Sequence, residues 1–523
     1  MMWSAVATAD ENFDQALSKI ETGKFPSISE GVALLVDSDD ARVATVLNAL
    51  TDGALYRYKP ESTLVYLHDK NDEGYLVSYV SSADKAGEKF VVKSSAVKRV
   101  GVNNNLRNEI SSALATLNLK NPNVEIRLNA LRESLASLNP ASLKTITKMA
   151  TTEKNSEAKE LIKTAMAMGG LKSEDTAIQL TSISALKDSL EPAVKLALIN
   201  MESASDNAAV KRAAKAALKG IEEKLVRYSH LETLFFGLSL GSVLVLAAIG
   251  LAITFGVMGV INMAHGELIM IGAYTTYVIQ LMMPNHIEYS LFVAVPAAFL
   301  ISGLVGIAIE RGVIRFLYGR PLETLLATFG VSLILQQAVR TIFSPLNRSV
   351  ETPDWMSGLW QINPVFSLTL NRLYIIIFCF MVFAALFLIL RKTALGLQVR
   401  AVSQNRSMAR AMGVRSEWVD AMTFGLGSGI AGVAGVALSQ LTNVGPNLGQ
   451  AYIIDSFMVV VFGGVGNLWG VMVAGLSLGV ANKFLEPFAG AVLAKILVLV
   501  FIILFIQKRP RGLFPQKGRA AEG

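Results

Sequence analysis

From residue 233 onward the chain is divided into long apolar stretches, near 233–256, 266–283, 289–310, 322–343, 372–390, 419–441, 453–466, 468–485 and 488–506. In hydrocarbon such stretches must be helical, because lipid cannot satisfy a backbone N–H or C=O. Several are shorter than the roughly twenty residues that a full crossing needs. The stretches 453–466 and 468–485 are separated only by Asn467 and are rich in glycine. They read as a broken or re-entrant pair, tolerated only where protein or a water-filled cavity surrounds them.

The first part of the chain is of another kind. Residues 1–230 hold 29 basic and 29 acidic side chains, whereas residues 231–523 hold 19 and 12, which accounts for the whole net charge of +7. A charged, helix-patterned stretch ahead of repeated apolar blocks reads as a soluble domain joined to a polytopic membrane domain. Apolar residues recur at helical spacing in Phe13, Ala16, Leu17 and Ile20, and again in Val43, Val46, Leu47 and Leu50. Between 62 and 100 the runs Leu64–Leu67, Tyr75–Val80 and Phe90–Val92 are β-like and are split by Asn71-Asp72-Glu73-Gly74 and Ala86-Gly87, which predicts a small sheet or hairpin. From about Asn105 to Arg227 the pattern is helical, near 106–118, 123–138, 142–151, 156–168, 174–190, 192–201 and 207–226, with breaks such as Asn121-Pro122, Asn139-Pro140 and Gly169-Gly170. Helix pairs of roughly forty residues suggest a HEAT-like α-solenoid, with an irregular helical bundle as the alternative.

The expected fold is therefore mainly α. An exported, mostly helical, HEAT-like domain at 10–230, with its β element near 62–100, precedes a membrane domain at 231–523. Residues 1–9 end in Ala7-Thr8-Ala9, the small-residue pattern of a signal-peptide cleavage site, without a charged or apolar region before it. They read as a signal-peptide remnant, cut after Ala9, of a chain whose start is placed late.

Composition excludes several chemistries. The sole cysteine, Cys379, lies inside an apolar block, so neither an intrachain disulfide nor a Cys-based metal centre forms. The four histidines lack partners at ligand spacing, and no phosphate-binding G-x-x-x-x-G-K-[ST] occurs. We expect no catalytic residue, no metal and no cofactor; any ATP-driven work must come from another subunit. The positive charge sits in short loops: Arg311, Arg315 and Arg320; Arg391, Lys392, Arg400, Arg406, Arg410 and Arg415; and the tail Lys508, Arg509, Arg511, Lys517 and Arg519. Such a distribution reports orientation in a bilayer, not nucleic-acid binding, and makes these loops cytoplasmic. Nine crossings then place residues 10–230 outside the cytoplasm and the C-terminus within it.

Three motifs stand out. The run from Gly256 to Gly272 places Asn262, His265 and Glu267 in an otherwise apolar stretch. Polar groups in hydrocarbon mark pathways or gates more often than anchors, although capping of a helix end explains Asn262 and His265 equally well. The loop from Arg391 to Trp418 is too polar to cross; its apolar positions Val399, Val402, Met408, Ala411 and Met412 run beside Arg400, Arg406 and Arg410, and Gly413 ends the helix. It suits a helix that lies on lipid headgroups or docks into a cytoplasmic partner. The glycines that follow, with Gly429, Gly432, Gly463, Gly464 and Gly466 foremost, suit close helix packing.

Taken together, GVMGVINMAHGELIMIGAY, the loop TALGLQVRAVSQNRSMARAMGV with its Gly/Ala-rich continuation, VFGGVGNLWG and the ending KRPRGLFP resemble the branched-chain amino acid and urea permease family of bacterial ABC importers. The resemblance covers about 290 residues. It implies a second permease subunit in a heterodimer, two cytoplasmic ATPase subunits and an extracytoplasmic solute-binding protein. It also implies that the loop receives the ATPase stroke, with Arg400, Ala401, Ala411 and Gly413 at the matching places. The long N-terminal domain resembles the first permease subunit of the urea branch, so urea and short amides are the expected substrates. Branched-chain amino acids are the runner-up, and an ATP-independent channel for urea or amides is an alternative of another class. A membrane enzyme has little support, since His265 and Glu267 lack a third catalytic member.

Overall fold

The computed structural model describes residues 13–38, 40, 42–71, 74–80 and 89–514. The remnant at 1–9, the breaks at Asp72-Glu73 and Ala86-Gly87, and Lys517 and Arg519 of the tail lie outside them. The chain divides into two compact units, Met1–Leu225 and Val226–Gly523.

In the first unit, a helical stretch at 13–21 and helices α1 (Phe25–Ser38) and α2 (Val43–Asp52) enclose Phe13, Ile20, Ile28, Leu35, Leu47 and Leu50, all fully buried. A five-stranded sheet follows: β1 (Leu55–Tyr58), β2 (Thr63–Asn71), β3 (Gly74–Tyr79), β4 (Lys89–Val92) and β5 (Val97–Arg99), in the order β4-β3-β2-β1-β5 and antiparallel throughout. The sequence pattern shows only β2, β3 and β4. Strands β1 and β5 are short and half polar, and they pair across some forty positions (Tyr56 with Arg99), a partnership no local window contains.

Helices α3 (Asn104–Asn118), α4 (Val124–Ala136), α5 (Pro140–Met149), α6 (Ser156–Gly170), α7 (Thr176–Leu186) and α8 (Pro192–Ala204) come next. Their starts are chemically marked: Asn103, Asn123, Asn139, Asn155 and Asp175 each accept a hydrogen bond from a first-turn N–H. Helices α4, α6 and α8 pack against one another, and α5 and α7 pack against α6. Leu131, Ile162, Ala165, Val194 and Leu198 fill the core. The next helix, α9 (Ala208–Met258), does not end near 226 as the pattern predicts; it runs for 51 residues into the first apolar stretch. The stretch Arg227–Glu232 contains neither glycine nor proline, so nothing in it terminates a helix.

In the second unit the nine apolar stretches fall on eight helices: the later part of α9, α10 (His265–Met282), α11 (Ile287–Gly312), α12 (Pro321–Phe343), α13 (Leu370–Lys392), α16 (Ser416–Ser439), α17 (Leu448–Gly463) and α18 (Leu468–Lys508). Two short helices, α14 (Ala394–Gln404) and α15 (Arg406–Ala411), precede α16, and a hairpin of β6 (Leu359–Asn363) and β7 (Phe366–Thr369) precedes α13. Six of these helices, α9, α11, α12, α13, α16 and α18, are long and apolar enough to cross a membrane. Helix α18 joins the last two expected stretches, with Pro487 inside it and Gly490 at φ +77° interrupting the helical backbone. Helix α16 is the axis: it packs on α10 and α11 and is buried almost throughout. Glycine makes this possible, since a Cβ on Gly272 would lie 2.0 Å from the Gly432 carbonyl oxygen, and one on Gly427 2.6 Å from that of Gly250.

Candidate functional site

Helix α9 stops at Met258 and α10 starts at His265, so Gly259–Ala264 is non-helical backbone within the apolar interior. Gly259 turns the chain at φ +66°. The freed backbone groups are met by side chains. Asn262 Oδ1 accepts from the Ala264 N–H at 3.0 Å, and Thr328 Oγ1 of α12 accepts from the Met263 N–H at 3.1 Å. Asn262, His265 and Glu267 are all essentially inaccessible. His265 Nε2 donates to the Ala247 carbonyl of α9 at 2.8 Å, which places the neutral ring's proton on Nε2. Glu267 Oε1 accepts from Ser332 Oγ at 2.9 Å and from Gln336 Nε2 at 2.7 Å, both on α12. One polar atom of each remains without a partner among the described residues: Asn262 Nδ2, His265 Nδ1 and Glu267 Oε2.

The partner face of α12 escapes sequence reasoning. Thr324, Thr328, Ser332 and Gln336 recur every four residues, which places them on one stripe of a helix, and all four are buried. The opposite face, with Leu322, Leu326, Leu333 and Ile334, is exposed. A polar stripe facing inward and an apolar face outward is the pattern of a lipid-bordered helix. The period-four signal was present in the sequence but diluted by the surrounding leucines.

The polar loop folds around a second constellation. Asn405, at φ −155°, separates α14 from α15 and caps the latter through the Met408 N–H at 2.9 Å. This break shifts the helical phase, so the apolar positions do not form the single expected stripe. Val399 and Val402 turn inward with Ala409 and Val419, while Met408, Ala411 and Met412 face outward with Leu397 and Trp418. Arg406 donates from both terminal nitrogens to Asp420 of α16 and stacks over Tyr318 at 3.9 Å. Arg410 Nε donates to Ser416 Oγ at 2.6 Å, Arg400 donates to the Leu390 carbonyl, and Ala401 joins the inner cluster from its edge. Gly413 adopts φ +87° with open space around it. Asp420 gives no local signal; only the fold brings it to Arg406.

Of the glycines, Gly429 and Gly432 lie on α16 against Phe299 and against Ala298 and Ser302, and Gly463 closes α17 against the Gly470 carbonyl. Gly464 and Gly466 lie outside the helices, in the turn before α18, at φ +106° and +79°. The tail meets this turn: the Leu513 and Phe514 N–H groups donate to the carbonyls of Phe462 and Gly463 at 2.9 and 3.2 Å. Two motifs some fifty residues apart in sequence are thus one structural element.

Comparison with known proteins matches residues 233–506 to the family described as the permease component of branched-chain amino acid transport systems. The chain belongs to this permease family. The high-affinity branched-chain amino acid transport permease LivH of Escherichia coli is 32% identical over 293 residues, covering 54% of this chain and 94% of the relative. BraD of Pseudomonas aeruginosa is 30% identical over 295 residues, covering 55% and 96%. The ribose import permease RbsC of Bacillus subtilis is 29% identical over 134 residues, covering 23% and 42%. No solved structure matches the chain. The permease match takes in the 259–264 break, the α12 stripe, the α14–α15 loop and the glycine turn, and leaves the first unit outside.

Proposed function

We propose that this chain is a membrane-embedded permease subunit through which an ATP-driven importer moves branched-chain amino acids. The observation that carries this is the 32% identity to LivH over 94% of that relative's length, beside a family match at 233–506 that takes in the elements of the candidate site. The sequence expectation of urea rests on the N-terminal unit, which lies outside the matched residues 233–506; urea therefore stands as the second reading. In this proposal the chain pairs with a second permease subunit, two cytoplasmic ATPases and an extracytoplasmic solute-binding protein, and residues 10–230 lie outside the cytoplasm. Uptake of labelled leucine and labelled urea by cells lacking only this gene separates the readings. Loss of leucine uptake with urea uptake intact supports the first; loss of urea uptake alone replaces it with the second.

The mechanism follows from the two constellations. At the 259–264 break and the first turn of α10, Asn262, His265 and Glu267 each keep one buried polar atom without a partner among the described residues, and Glu267 is held by Ser332 and Gln336 of α12. Small displacements of α12 against α10 would open or close such a seam, which suits a gate or its support. At the other end, Met408, Ala411 and Met412 form an outward apolar face for an ATPase, and the Arg406–Asp420 pair ties that face to the axial helix α16. Motion imposed on α15 thereby reaches the glycine-lined core. Replacing Gly413 by a bulky residue, or Arg410→Glu, is expected to leave the protein in the membrane while abolishing ATP-dependent transport and weakening ATPase co-purification. Normal transport and co-purification in both variants would refute the coupling role.

A further inference from the structure

A cavity of about 470 Å³ opens beside the last turn of α13, bounded by α9, α14 and the start of α18. Its polar side is Arg391, Arg400 and Ser403, and no carboxylate lines it. Neither arginine is in an ion pair among the described residues, whereas Arg315 and Arg406 of the neighbouring loops are both matched to acids. Arg391 lies 5.6 Å from the Phe387 ring centre, and Arg400 spends one nitrogen on the Leu390 carbonyl; both side chains remain exposed. The rest of the lining includes the apolar side chains Phe387, Leu468 and Trp469. Trp469 and Val473, one turn apart on α18, continue this lining as exposed apolar surface.

We propose that this cavity binds the headgroup of an anionic phospholipid, its phosphate between Arg391 and Arg400 and its acyl chains along Trp469 and Val473. Two unmatched guanidinium groups call for an anion, and the cavity has room for a glycerophosphate group. The apolar lining favours a lipid over a free ion, since basic pockets between helix ends at the membrane surface collect acidic lipids. Tryptophan at such a level is the usual interfacial anchor.

The test uses the full chain, purified in neutral detergent with whatever subunits accompany it. Phosphatidylglycerol, phosphatidylcholine and inorganic phosphate are offered separately, and retention is read by native mass spectrometry. The parent should retain phosphatidylglycerol about 30-fold better than phosphatidylcholine, as expected for two basic side chains at a membrane surface. Arg391→Gln/Arg400→Gln should lose that preference, while Lys392→Gln, which alters a charge outside the cavity, should keep most of it. Equal thermal unfolding of parent and double variant in phosphatidylcholine alone establishes that the variant is folded. If the double variant keeps its preference, or Lys392→Gln loses as much, the site is not here. If inorganic phosphate displaces the lipid completely, the cavity is a free-anion site and the lipid assignment fails.

Discussion

Helix α6 of the first unit and helix α12 of the second are built inside out with respect to each other. Helix α6 buries Ala158, Leu161, Ile162, Ala165 and Met168 and turns Lys159, Glu160 and Lys163 outward. Helix α12 buries Thr324, Thr328, Ser332 and Gln336 and turns Leu322, Leu326, Leu333 and Ile334 outward. Both obey one rule, that each face matches what it touches. In α6 the outer medium is water and burial of apolar area drives folding. In α12 the outer medium is lipid, so apolar burial contributes little and the interior is held by close packing and hydrogen bonds. The residues that hold α12 in place are therefore also those that can interact with a polar solute.

The largest expected effect comes from the packing that replaces the hydrophobic effect in the second unit. A side chain at Gly272 must displace the Gly432 backbone. Gly272→Leu should cost about 3 kcal/mol, the scale of severe overpacking. Its amount in the membrane and its unfolding temperature in detergent should both fall, and parental values would show that α10 and α16 do not meet so closely. The two faces of α12 come next. Ser332→Leu strips a donor from buried Glu267 and should cost about 2 kcal/mol, whereas Leu326→Ala on the outer face should stay within about 0.5 kcal/mol. Equal effects would erase the distinction between the faces.

In the first unit the sensitive point is electrostatic. Arg127 binds Glu153 through two nitrogens at 3.0 and 3.1 Å and holds its carboxyl down to about 2 from 4.5. A depressed folded-state value means that the pair stabilises fully above about pH 4.5 and loses its effect as pH falls toward 2. Hydrogen exchange across residues 124–170 of the full chain should accelerate over that window, and Arg127→Met should weaken the pH dependence, leaving the part due to the Lys154 and Asn155 N–H groups that also bind Glu153. A modest effect is expected at a helix cap: Asn155→Ala should destabilise α6 by about 1 kcal/mol in the same exchange measurement.

Much of this architecture is legible in the sequence because its causes are local. The asparagine caps and the apolar blocks each carry their own signal, whereas Gly464 and Gly466, which read as helix-packing residues, form a turn at positive φ instead. What escapes is what depends on distant partners. Strand β5 needs β1, Arg406 needs Asp420, and Glu267 needs Ser332 and Gln336 some 65 residues away. The outward turn of Met408 and Met412 escapes for another reason, since a phase break at Asn405 cannot be seen in a count of apolar positions. Asn262, His265 and Glu267 were visible as polar residues in an apolar run, but only their partners divide them, with the first two tied to local or α9 backbone and the third to α12.

That division makes Glu267 the decisive residue. Glu267→Gln preserves shape and an acceptor for Ser332 and Gln336 while removing the carboxylate. Leucine uptake should be compared with the parent and with Leu326→Ala at equal amounts in the membrane. We expect uptake by Glu267→Gln to change by about tenfold, the effect of 1.4 kcal/mol on a barrier, with Leu326→Ala within about twofold of the parent. Parental uptake by Glu267→Gln would contradict a functional polar seam and leave the 259–264 break as a helix cap alone.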